Sequence, residues 1–66
     1  MDDYRDFLFY DEETGEEFLV EICITGKRYE ESLKEAESIA YENFNKPIFQ
    51  EILTVEDGEW LGLDTY

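Results

Sequence analysis

The side chains with the most chemistry to offer in this chain are carboxylates. Asp11-Glu12-Glu13-Thr14-Gly15-Glu16-Glu17 places five of them in seven positions. Such a group can ligate a hard cation, run acid–base chemistry, or meet guanidinium and ammonium groups. Calcium would accept the oxygens, but the spacing is not that of an EF-hand loop, and a four-residue tip is too tight to wrap a cation. Acid–base work needs a tuned pair, and the abundance of carboxylates argues against any one pair being tuned. A glycosidase-like use would also need a substrate cleft that 66 residues can hardly build. The chain has no His, the usual general base near neutral pH. Its one cysteine, Cys23, lies in a strand-like segment with no base to activate it, and reads as a small packed hydrophobe. One Cys and no His exclude the usual zinc ligand sets. Ser32 and Ser38 fit a helix cap and a helix surface. No catalytic residue, metal or cofactor is expected, and the chain does not read as an enzyme. The third use, pairing with basic groups, is left.

The elements that must carry these acids are legible from period and turn chemistry. Arg5 to Asp11 reads as a strand, with Phe7 and Phe9 on one face and Leu8 and Tyr10 on the other. Glu17 to Thr25 alternates Phe18, Val20, Ile22 and Ile24 against Leu19, Glu21, Cys23 and Thr25. Glu12-Glu13-Thr14-Gly15 joins the two as a hairpin, with Gly15 placed for a left-handed residue. Gly26 breaks the second strand. Ser32-Leu33-Lys34-Glu35 matches a capping box and makes Ser32 a first cap, with Tyr29 to Glu31 able to add a turn. Tyr29, Leu33, Ala36, Ala40 and Phe44 share one helical stripe, while Glu31, Glu35, Ser38 and Glu42 fall on the far side. Asn45 and Pro47 end the helix. Ile48 to Val55 predicts a third strand, Asp57-Gly58 a two-residue turn, and Trp60 to Leu63 a short fourth strand. The fold class is therefore α+β: a single domain over residues 1–66, with an antiparallel sheet of three to four strands in β-β-α-β-β order and one helix packed on one face. Sheet order is not readable. One helix covers one face only, so Leu8, Tyr10, Leu19 and Cys23 are expected to line a second face that is open or buried in a dimer.

The charge balance is the strongest signal. Nineteen Asp and Glu face five Lys and Arg, for a formal net charge of -14. The acid is spread along the chain, unlike an acidic tail. Aromatics make up 17 %, far from the composition of a disordered acidic segment. The lone cysteine, the absence of a basic and apolar leader after Met1, and the lack of a long apolar run suggest a reduced, cytosolic setting. Direct contact with nucleic acid or anionic lipid is disfavoured by charge sign.

Three explanations compete for the acid. A merely solvated surface needs only about 2–8 net charges. Adaptation to high salt usually comes with a weakly hydrophobic core, which this chain lacks. Mimicry of a polyanion fits best. At one charge per roughly 1.7 Å, fourteen charges match about 24 Å of duplex DNA. That is close to the diameter expected for a chain whose radius of gyration should be about 11 Å. Three acidic groups are candidates for partner binding: the hairpin tip (Asp11, Glu12, Glu13, Glu16, Glu17), the outer helix face (Glu30, Glu31, Glu35, Glu42) and the second turn (Glu56, Asp57, Glu59).

Short acidic domains with a small sheet and one helix resemble phage anti-CRISPR proteins. Within that class, Ser32-Leu33-Lys34-Glu35-Ala36-Glu37-Ser38-Ile39-Ala40, Glu51-Ile52-Leu53-Thr54-Val55 and Gly58-Glu59-Trp60-Leu61 are similar to the helix-strand-turn-strand half of some inhibitors of type I systems. The resemblance covers about half the chain, and the N-terminal hairpin with its acidic tip is not mapped residue by residue. The resemblance implies a DNA-mimic inhibitor in the bacterial host cell. It would occupy a Lys/Arg-rich surface of an RNA-guided surveillance complex, chiefly the one that reads the protospacer-adjacent motif. The alternatives are a mimic aimed at a restriction enzyme or other host DNA-binding protein, and a dimeric phage adaptor. A monomer is favoured, with a dimer possible through the open sheet face.

Overall fold

The computed structural model describes residues 2–66. Its elements run β1 (Tyr4–Asp11), β2 (Glu17–Cys23), α1 (Tyr29–Asn43), β3 (Pro47–Thr54) and α2 (Val55–Leu61). The class is α+β, with one antiparallel three-stranded sheet in the order β2-β1-β3. The first strand is thus the central one. Phe7 pairs with Val20 on one side and Ile52 on the other; Phe9 pairs with Phe18 and Phe49. A register shift between Leu8 and Phe9 leaves Gln50 as an extra residue in β3.

Pleat parity puts Phe7, Phe9, Phe18, Val20 and Ile22 on one face, and α1 lays Ala36 and Ala40 directly against them. The two alanines are fully buried, so the helix backbone approaches the sheet closely. Phe18 is the hub: its ring stacks on Phe9 at 5.5 Å and on Phe44 at 3.9 Å, and meets Tyr66 edge-on at 5.6 Å. Tyr29, assigned to the buried stripe by spacing, is exposed at the helix start. Ser32 does not cap α1. The helix begins one turn earlier, after Arg28, and Ser32 is buried with its hydroxyl unpartnered among the described residues. Glu30 and Glu31 supply favourable charge to that first turn instead.

The second half departs from expectation. Asp57-Gly58 is not a turn, and residues 60–63 form no strand: both lie in or just after α2. The physical reason is capping. The Thr54 hydroxyl accepts the backbone N–H of Asp57 at 3.1 Å, and Gly62 closes the helix in the left-handed region with φ +65°. So the described residues form two helices and three strands.

Those last residues also close the face expected to be open. Gly58 is buried against Asp6, and Leu61 lies with Leu8, Glu51 and Leu53. The terminal segment then runs beside β2 in parallel. Leu19 donates to the Asp64 carbonyl (2.9 Å), Tyr66 donates to Leu19 (2.8 Å) and Glu21 donates to Tyr66 (3.1 Å). Leu8 and Leu19 are consequently buried within the chain, Cys23 is half-buried, and of the four residues only Tyr10 is exposed. The outer edge of β3 has no strand beside it among the described residues. No helix among these residues is long and apolar enough to cross a membrane.

Candidate functional site

The sheet positions the acids by exclusion. Its aromatic and aliphatic residues fill the two helix-covered faces, so carboxylates are pushed to tips, edges and outer helix faces. Of the nineteen acids only Asp6 and Asp11 are buried, and Glu37 is half-buried; the other sixteen are exposed. Among the described residues a single ion pair, Lys27 Nζ to Glu35 at 2.6 Å, neutralises any of them. The Glu35 hydrogen bond is the main cause that raises the Lys27 pKa above its usual value.

The hairpin tip is built as a rigid knob. Asp11 donates its N–H to the Glu16 carbonyl (2.7 Å), and Gly15, at φ +79°, donates to the Asp11 carbonyl (2.8 Å). Glu12 donates to the Lys46 carbonyl (3.0 Å), and the Asn45 amide donates to Glu13 (2.9 Å). The loop before β3 therefore fastens the tip from behind. Glu12, Glu13, Glu16 and Glu17 are all exposed.

Asp11, expected among the contact residues, is built into the scaffold of the tip. It is buried, and its carboxylate accepts the Thr14 hydroxyl (2.9 Å) and the Lys46 N–H (3.1 Å). Burial alone would raise its pKa. Hydrogen bonds from the Thr14 hydroxyl and from the backbone of Lys46, Glu13 and Thr14 outweigh that and hold it below the ordinary Asp value.

The other two groups are also exposed: Glu30, Glu31, Glu35 and Glu42 on α1, and Glu56, Asp57 and Glu59 on α2. Capping, not a turn, now orders the last three. The three groups do not converge. Helices α1 and α2 lie on opposite faces of the sheet, so their outer acids point apart. The hairpin tip lies at the Asp11–Pro47 end of the sheet, while α2 starts from the Arg5–Thr54 end.

Two residues escape a reading by charge alone. Asp6 is a buried carboxylate with Oδ1 unpartnered among the described residues. Burial raises its pKa, and the nearby charges of Glu21 and Glu59 add to the effect. Trp60 is 83 % exposed beside Glu56 and Glu59, although aromatic type alone would place it in the core. No three His, Cys, Asp or Glu side chains among the described residues are grouped so as to hold a metal ion. Comparison with protein-family models, curated proteins and solved structures returns no match.

Proposed function

We propose that this chain is an inhibitor acting as an acidic DNA mimic. In this reading it occupies the basic DNA-binding, motif-reading surface of a CRISPR-Cas surveillance complex, with type I complexes favoured, inside a bacterial host. The observation that carries the reading is the set of sixteen exposed acids with one ion pair among them, held on a fixed scaffold. Fourteen net charges over a long axis of 36 Å come to one per about 2.6 Å, against roughly 1.7 Å for duplex DNA. The charge is thus about two-thirds as dense as the duplex, on a body whose radius of gyration is 11.2 Å. Exposed carboxylates can meet Arg and Lys in the geometries used for phosphate, and the net field would speed encounter.

The test is competition for target DNA by a purified surveillance complex. The wild-type chain should block binding, and more strongly at low salt. Reversing Glu12, Glu13, Glu16 and Glu17 to Lys should weaken the block about tenfold or more while the fold, read by circular dichroism, persists. Undiminished inhibition after reversing the tip, the α1 acids and the α2 acids in turn would sink the mimicry mechanism. A restriction enzyme or other host DNA-binding protein would satisfy the same electrostatics, and a pull-down from bacterial lysate separates these partners. The apolar face on which a dimeric adaptor would depend is largely covered by α2 and the terminal segment.

A further inference from the structure

We infer that the outer face of α2 is a docking surface for an arginine side chain of a basic protein partner, with Trp60 as its apolar anchor. This deepens the mimicry reading and rests on its basic-partner half, not on the identity of that partner. Helix geometry puts Glu56, Glu59 and Trp60 on one face, since they are three and four residues apart. Gly58 falls on the opposite side and is the buried contact with Asp6. The docking of α2 on the sheet therefore fixes which way Trp60 points.

Trp60 buries little of its surface against the fold. It is 83 % exposed in a domain small enough that every buried aromatic counts, and the described residues give its ring no aromatic partner. It borders an open concavity of about 380 Å³ shared with Glu56 and Glu59. An indole face attracts a cation, and a planar guanidinium stacks on it better than an ammonium does. Flanking carboxylates accept the guanidinium N–H groups. Duplex DNA offers phosphates but no such anchor, so this surface would do more than copy charge. A second copy is the wrong occupant, because two faces of the same sign would meet across it.

The chain has one Trp, so its fluorescence reports this face alone. The probes are dye-labelled oligo-arginine and oligo-lysine of equal length, titrated into the intact chain at low and moderate salt. Oligo-arginine should shift the Trp60 emission and bind about 3–10-fold tighter than oligo-lysine. Trp60→Ala, at an exposed position, should keep the fold and abolish that preference without touching net charge. Glu56→Gln with Glu59→Gln should weaken both peptides and spare less of the arginine preference than of the fold. Equal binding of the two peptides, unchanged in Trp60→Ala, overturns the Trp60 site while leaving charge-driven binding standing. No binding of either peptide at low salt overturns both readings. A Trp60-dependent dimer in sedimentation overturns the arginine occupant.

Discussion

Gly58 of α2 is buried against Asp6 of the sheet. A Cβ on residue 58 would overlap the Asp6 carboxylate and come within 3.1 Å of the Asp6 Cβ, and Asp6 is buried. Gly58→Ala should therefore destabilise the domain by about 1–3 kcal/mol despite alanine's better helix propensity. A chemical denaturation midpoint at or above wild type would show that α2 docks differently. The two buried acids should respond to pH with opposite sign. Asp6 has a raised folded pKa, so its contribution is full below the unfolded value near 3.8 and is lost as pH rises through the folded value. Asp11 has a lowered one, so its contribution is present above the unfolded value and lost as pH falls through the folded value. Asp6→Asn should then melt higher than wild type at neutral pH, by about 4–8 °C for each kcal/mol relieved, and the gain should shrink towards pH 4. Thermal melts across pH that show no gain at neutrality would mean that Asp6 is solvated in solution.

At the scale of elements, the sequence was clearest where period and turn chemistry agreed. The hairpin, its Gly15 turn and the Ala36–Ala40 helix face follow from alternation, a left-handed glycine and helical spacing, and β3 starts only one residue earlier than its pattern suggests. The second helix was missed because Asp57-Gly58 has a strong local turn signature. The competing signal is in the chain: Thr54-Val55-Glu56-Asp57 is a helix start, and Gly62, eight residues after Thr54, is a helix stop. A seven-residue helix also shows too little apolar periodicity to be seen on its own. The same blind spot hides the candidate anchor, since aromatic type alone places Trp60 in the core, whereas in α2 it is exposed. Exposure of the acids was legible from charge. The burial of Asp11 was not, because nothing local says that Lys46, thirty-five residues away, will donate to it. If the Thr54 cap sets the helix, Thr54→Ala should cost about 1 kcal/mol and lower the melting temperature by about 4–8 °C, followed by circular dichroism. An unchanged melt would shift the credit for α2 to Gly58 packing alone.

For the whole molecule, self-repulsion should be visible in stability. With a Debye length of about 10 Å at 0.1 M salt and about 3 Å at 1 M, most repulsion across a body 36 Å long is already damped at moderate salt. Adding sodium chloride from low ionic strength should therefore raise the melting temperature steeply at first and then level off, while binding to any basic partner falls over the same range. A melting temperature that is flat in salt would mean that the exposed acids hardly sense one another.

The sheet order carries a last consequence, for how the chain comes to be folded. Its central strand is the first to be made, yet one of its two neighbours is β3, where Arg5 meets Thr54. While the chain is emerging, the hairpin of β1 and β2 can close on local contacts, but the other flank of β1 stays bare until nearly fifty further residues have followed. A half-built sheet with an apolar strand at its rim invites a sister chain to add itself there. Seven acids lie between Tyr4 and Cys23, against one base, so each nascent hairpin already repels its neighbours. The charge that would draw this molecule to a basic partner also keeps unfinished copies of it apart.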